Sequence, residues 1–353
     1  MKKILFILIT LLVGFSLFSC GVDEKEEVLE QNFEIHTEVQ KKFLEDRYQL
    51  ISIYANGKKE LSLPLPVVVS WKSLGVNEYT FILSESEDLS NANTYKVQTN
   101  KISIFNLKIK TPYYWRLEYY SNGILTKSNV ESFIINSSAP RNLYIDGLTN
   151  ARDIGGYSTS DGKLVKQGMI YRTSRLNENE TTTNLITQAG IDVMLNDLGI
   201  KSELDIRKVD DNENGGITSS PLGNSVNYYS IPMISGGNLL LRNKDVIKNA
   251  FVILGDENNY PIVIHCSIGT DRTGMMCFLI NALLGVSKDD LYRDFLFSNF
   301  GNIGGSRGTQ IIDTYIENIE YMKGNTFAEK TYNYLLSIGV AESDLETIIR
   351  LMK

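Results

Sequence analysis

One junction constrains this chain more than any other. The apolar run Pro261–His265 meets Cys266, five residues follow, and Arg272-Thr273-Gly274 opens a second apolar run to Leu284. The first run has the length of a buried strand and the second that of a helix. A short loop between a strand end and a helix start can turn its peptide N–H groups inward. Ser267, Ile268, Gly269, Thr270, Asp271 and Arg272 would then form an anion cradle, to which the helix N-terminus adds partial positive charge. Both effects favour thiolate at Cys266, from about 8.5 into the range of roughly 3.5–7.5, where it is a nucleophile at neutral pH. Arg272 carries a planar fork suited to two phosphate oxygens. The Thr273 hydroxyl can donate to the sulfur and help it leave. Gly269 permits a backbone conformation that a side chain would obstruct, and Gly274 allows close packing under the loop. His265 is expected to orient the loop through hydrogen bonds.

This Cys-x5-Arg-Thr pattern resembles the signature of protein tyrosine phosphatases. Asn150-Ala-Arg152-Asp153-Ile-Gly-Gly156, Tyr171–Leu176, Gly199–Arg207 and Tyr334–Val340 are similar, in order, to further motifs of a bacterial and fungal branch of that family. The resemblance covers Leu143 to Lys353 and implies an α/β catalytic domain over 141–353. It also implies phosphomonoester hydrolysis through a Cys266 phosphoenzyme, with no metal or other cofactor. Arg152 and Asp153, with His265 and Gly274, are the residues expected to support the loop. A phosphorylated protein is the expected substrate, and a phosphoinositide or other small phosphate ester is the alternative. A surface protein that binds phosphate ligands without turnover is the rival from another class. The family's loop usually places Lys where this chain has Thr270, which puts lipid substrates in doubt unless Arg152, Arg175 or Arg207 brings charge to the mouth. No Trp-Pro-Asp motif is present, so the acid that protonates the leaving group is Asp271 or its rival Asp205. Cys277 reads as a small core residue.

The remainder of the C-terminal part alternates strand-like and helix-like stretches: Val226–Ile231, then helices over Thr182–Leu198, Lys244–Leu254, Thr273–Leu284, Lys288–Asn299, Gly308–Lys323, Ala328–Ile338 and Glu342–Lys353. Such alternation predicts a mainly parallel sheet. Residues 61–137 differ. Short alternating runs at Pro66–Trp71, Glu78–Ser84, Lys101–Leu107, Tyr113–Tyr120 and Val130–Ile135, separated by polar turns, predict an all-β sandwich. Trp71 and Leu107-x5-Tyr113-x-Trp115-x-Leu117 resemble the tyrosine-corner pattern of fibronectin type III modules, with Tyr113 returning its hydroxyl to nearby backbone. No partner for this module can be read from its residues.

At the start, Lys2-Lys3, an apolar run Ile4–Phe18 and Ser19-Cys20-Gly21 have the parts of a secretory signal. Leu17–Cys20 resembles the lipobox of bacterial lipoproteins, which implies acylation at Cys20 and anchoring in the cell envelope, at the outer membrane. Residues 1–20 are thus expected to be a signal peptide and 21–60 an acidic tether and lead-in. The net charge of −7 argues against nucleic acid as a partner.

Overall fold

The computed structural model describes residues 31–177, 185–208 and 216–353. The signal segment, Cys20 and the acidic run of the tether lie outside the described residues.

The lead-in is folded from its first described residue. Strand β1 (Gln31–Phe33) is followed by helix α1 (Glu38–Glu45) and a 3-10 turn (Tyr48–Ile53). Thr37 starts α1 through a reciprocal capping box with Gln40, which satisfies two otherwise orphaned N–H groups. The amphipathic pattern buries Phe43, Ile51 and Ala55 in the core of the C-terminal domain.

Seven strands follow: β2 (Val67–Ser70), β3 (Tyr79–Ser84), β4 (Asn93–Val97), β5 (Lys101–Ile104), β6 (Pro112–Ser121), β7 (Ile124–Lys127) and β8 (Glu131–Ile135). One sheet runs β1-β8-β6-β3-β4 with β7 on β6, and β2 pairs with β5 in a second. Period-two alternation points Tyr79, Phe81 and Leu83 of β3, and Tyr113, Trp115 and Leu117 of β6, into one core. Val67 and Val69 enter the same core from the second sheet. Strand β1 joins by parallel pairing with β8, so the sheet is mixed. Strands β4 and β7 lie outside the runs predicted from the sequence, and most of their residues are exposed.

The C-terminal sheet contains β9 (Arg141–Asn142), β10 (Arg152–Asp153), β11 (Ile170–Thr173), β12 (Ser202–Asp205), β13 (Asn227–Ser230) and β14 (Ile262–His265), in the order β13-β12-β14-β11-β10-β9. The first four are parallel, and β10 and β9 turn antiparallel. Its helices are α2 (Gln188–Asp192), α3 (Leu239–Arg242), α4 (Lys244–Leu254), α5 (Asp271–Leu284), α6 (Lys288–Phe297), α7 (Gln310–Glu320), α8 (Phe327–Ser337) and α9 (Glu342–Met352). Helix α2 starts at its Thr187 cap and continues into a π-helical turn over Val193–Asp197. Every residue of α5 from Arg272 to Leu284 is buried, the behaviour of a helix that is apolar on all sides.

The two parts are joined by side chains that imitate backbone. Gln167 accepts from the Ile109 N–H at 3.0 Å and donates to the Ile109 carbonyl at 2.8 Å. Asn106 makes the same reciprocal pair with Tyr144. Phe105 stacks on Tyr144, and Arg141 donates to the Asn106 carbonyl.

Candidate active site

Strand β14 is the centre of the parallel region, and Cys266 follows it directly. The sulfur lies 2% exposed at the floor of a cleft of about 300 Å³. Ser267, Ile268, Asp271 and Arg272 line one side, with Ser235, Gly236, Gly237 and Leu239 across from them and Ile311 of α7 at the rim. Burial alone would raise the thiol. The Arg272 charge and the hydroxyl and N–H of Thr273 outweigh it and bring Cys266 below the ordinary range. Among the described residues the Thr273 hydroxyl has no other partner. At Cys277, within α5, burial outweighs the Arg172 and Arg152 charges and pushes the thiol up to about 11. The two thiols therefore differ by environment, not by exposure.

The loop is shaped from behind. Asn150 donates to the Ile268 and Gly269 carbonyls at 3.3 and 3.0 Å and to the Thr270 hydroxyl at 3.3 Å. Arg172 donates to the Gly269 carbonyl at 2.8 Å. Carbonyls drawn backward turn the N–H groups of the same trans peptides the other way, which is the arrangement an anion cradle needs. Gly269 sits at φ +67°, and a Cβ there would meet the Thr173 carbonyl oxygen at 2.3 Å. Only glycine fits. Arg272 reaches the Met233 carbonyl and the Ser267 hydroxyl, each at 3.4 Å, long contacts that a phosphate oxygen can replace.

Behind this layer lies a buried charge cluster. Asp294 of α6 accepts from Arg152 at 2.8 Å and from Arg172 at 2.5 Å. Arg152 also donates to the Asn150 side chain, so Arg152 supports the loop through Asn150. Asp153 does not touch the loop. It pairs with Arg141 and accepts the N–H groups of Gly155 and Gly168, so its work is to hold the turn after β10. A Cβ on Gly274 would meet the Phe295 ring at 3.0 Å. Asn150, which the sequence reading quoted only within a motif, is left-handed at φ +60° and is the loop's main brace.

His265 bridges the Glu203 carboxylate at 2.8 Å and the Cys266 carbonyl at 3.3 Å. Burial opposes its protonation, but Asp205 and Glu203 outweigh that and raise it above the ordinary value. Asp205 lies outside the cleft. Its two oxygens take the Arg207 fork and the Tyr228 hydroxyl, and His265 and Arg207 overcome burial to bring the carboxyl to about 2. With no place among the described cleft-lining residues, the rival acid is corrected to a structural ion pair with Arg207. Glu203, Asp205 and His265 stand close enough to share an ion. The Arg207 guanidinium already occupies the Asp205 oxygens with the positive charge an ion would bring.

Charge at the mouth is also placed differently. Arg152 and Arg207 are buried in their ion pairs, and Arg175 gives its backbone N–H to the Ser267 carbonyl without lining the cleft. Cations beside the cleft lining include Arg242, which donates to the Ser235 and Gly236 carbonyls, and Arg307, whose fork grips both oxygens of Asp271 at 2.9 and 3.0 Å. The only hint of Arg307 in sequence is a lone arginine inside the glycine-rich stretch Gly304–Gly308.

A strand-loop-helix cradle with a lowered thiol and an adjacent guanidinium defines a cysteine-dependent phosphatase class of site. Residues 143–348 match the model of the tyrosine phosphatase family, and the chain belongs to that family. A Cupriavidus necator protein, named as a candidate tyrosine-protein phosphatase, is 25% identical over 185 residues, covering 45% of this chain and 64% of its own. The chain thus spans less than two thirds of that relative's length. Among solved structures, the core catalytic domain of the PP-IP phosphatase Siw14 from S. cerevisiae matches at 18% identity and a TM-score of 0.30, over 46% of this chain and 84% of its own. P. aeruginosa TpbA matches at 15% identity and a TM-score of 0.29, over 48% and 86%.

Proposed function

We propose that the chain hydrolyses phosphomonoesters in two steps, with a phosphorylated protein side chain as the favoured substrate. The observation that carries this is the Cys266 thiol, lowered by Arg272 and Thr273 and open to a cleft. In the first step the sulfur forms a bond to phosphorus as the P–O bond to the leaving group breaks. Asp271, the carboxyl among the described cleft-lining residues, gives its proton to the leaving oxygen. In the second, water attacks phosphorus, Asp271 takes back a proton, and the S–P bond breaks to return thiolate and inorganic phosphate. Arg272 and the loop N–H groups hold the equatorial oxygens throughout. Leu239, Ile268 and Ile311 supply apolar walls that suit the ring of an aryl phosphate better than a polyanionic inositol. Phosphoinositides and other small esters are therefore the second reading.

The β-rich part is read as a fibronectin III-like sandwich that spaces the enzyme from its anchor. Tyr113 supports this, since its buried hydroxyl accepts the Lys108 N–H at 2.7 Å and its ring stacks on Phe133. Trp71 stacks on Phe81 in the same core. Export and envelope anchoring through Cys20 rest on the Lys2–Gly21 pattern alone.

The catalytic reading is checked by turnover of p-nitrophenyl phosphate in excess chelator. Wild-type protein is expected to turn over, and Cys266→Ser to lose at least about 10³-fold. A Cys266→Ser protein that keeps wild-type turnover would sink the reading. A panel of phosphotyrosyl peptides, phosphoinositides and nucleotides then separates the substrate classes.

A further inference from the structure

Arg307 is placed where a structural arginine has no reason to be. Its backbone is fixed from both sides by buried Asn299, which accepts the Arg307 N–H at 2.6 Å and donates to its carbonyl at 3.0 Å. Its side chain is only part-buried and reaches across to Asp271 at the start of α5. Hydrogen bonding to Asp271 raises its basicity most, burial opposes, and the Asp271 and Cys266 charges add to it, so its field reaches the sulfur. A carboxylate with both oxygens on one guanidinium has none left to present to a leaving group.

We propose that Arg307 is a positioning residue that grips Asp271 in the free protein and passes to the phosphate when substrate binds, which frees the carboxylate to take the proton that a phosphate monoanion carries and hand it to the leaving oxygen. This rests on the phosphatase reading above. A guanidinium fork fits phosphate as it fits carboxylate, and a dianion attracts it more strongly. The anchored backbone lets the side chain move while the rim stays in place. The exchange ties acid release to substrate arrival, and it brings a cation to a loop whose residue before Asp271 is the uncharged Thr270.

The test is phosphate binding, measured calorimetrically with inorganic phosphate on the full chain in a Cys266→Ser background. Binding does not depend on turnover, so a failed catalytic reading and a failed exchange are told apart. Arg307→Ala is expected to weaken phosphate by about tenfold or more, and Arg307→Lys by less. Asp271→Asn is expected to tighten it several-fold, because it releases Arg307. That gain is expected to vanish in the Asp271→Asn/Arg307→Ala double variant, since the cycle reports the coupling between the two side chains. Unchanged affinity in Arg307→Ala and Arg307→Lys, both folded by circular dichroism, would overturn the proposal. So would an Asp271→Asn gain that survives the loss of Arg307. In Cys266-intact protein, Arg307→Ala is further expected to slow phenyl phosphate and p-nitrophenyl phosphate alike, because Asp271 is then free throughout and only phosphate binding is lost. A selective loss on phenyl phosphate, whose poorer leaving group needs the proton, would count against acid release.

Discussion

Arg272→Met is expected to lower kcat/KM for p-nitrophenyl phosphate by about 10³-fold or more, on the scale of other arginines that stabilise phosphoryl transfer. Two losses combine. The fork that would replace its long contacts to Met233 and Ser267 with phosphate oxygens is gone. The charge that holds the Cys266 thiol down is gone as well. The second loss has a signature of its own. With the thiol below its ordinary value in the wild type, alkylation of Cys266 by iodoacetamide rises at lower pH than for a free cysteine. Without Arg272, burial dominates and the limb moves to higher pH, so alkylation at neutral pH slows. Arg272→Lys keeps a charge without the fork and is expected to retain more of the low-pH alkylation than of the turnover. If Arg272→Met alkylates like wild type across the pH range, the electrostatic part of the account is wrong.

The second large effect concerns stability. Asp294→Ala leaves Arg152 and Arg172 buried side by side without their shared carboxylate. Breaking a buried pair by removing one partner costs about 3–5 kcal/mol, because the remaining charge is uncompensated. For a chain of this size that is a large part of the whole stability. Thermal or urea unfolding measures it directly. Arg172 also holds the Gly269 carbonyl, and Arg152 holds Asn150, so residual folded protein is expected to have lost turnover too. A melting temperature within a degree or two of wild type would show that the cluster is not the support described here.

Much of the site could be read before any coordinates, and the reason is local. Cys266, Arg272, Thr273 and the loop glycine lie within one strand-loop-helix junction, where apolar runs fix the two elements and the spacing fixes the turn. Helix α4 was legible to its end residues, and α5 to its C-terminal end, for the same reason. What escaped depended on distant pairing. Asn150 and Arg307 act from 116 positions before and 41 after Cys266, and neither contact leaves a pattern in its own neighbourhood. Over its rival Asp205, Asp271 is favoured in the sequence only because it lies inside the loop. What separates them is that one faces Arg207 inside the sheet and the other faces the cleft. The lead-in had no element assigned from the sequence, yet spaced apolar residues at Phe43, Ile51 and Ala55 seat it on the catalytic core. Strand β1 had no such signal, because its three residues gain their place only by pairing with β8.

The central claim is that the sulfur itself carries the phosphoryl group. Rapid mixing of the protein with phosphorylated substrate, a denaturing quench and mass analysis of the peptides reads this without inference from rates. The account predicts a phosphoryl adduct on the peptide holding Cys266, absent from the serine variant. Turnover accompanied by an adduct on another residue, or by none under conditions that trap thiophosphate, would contradict it.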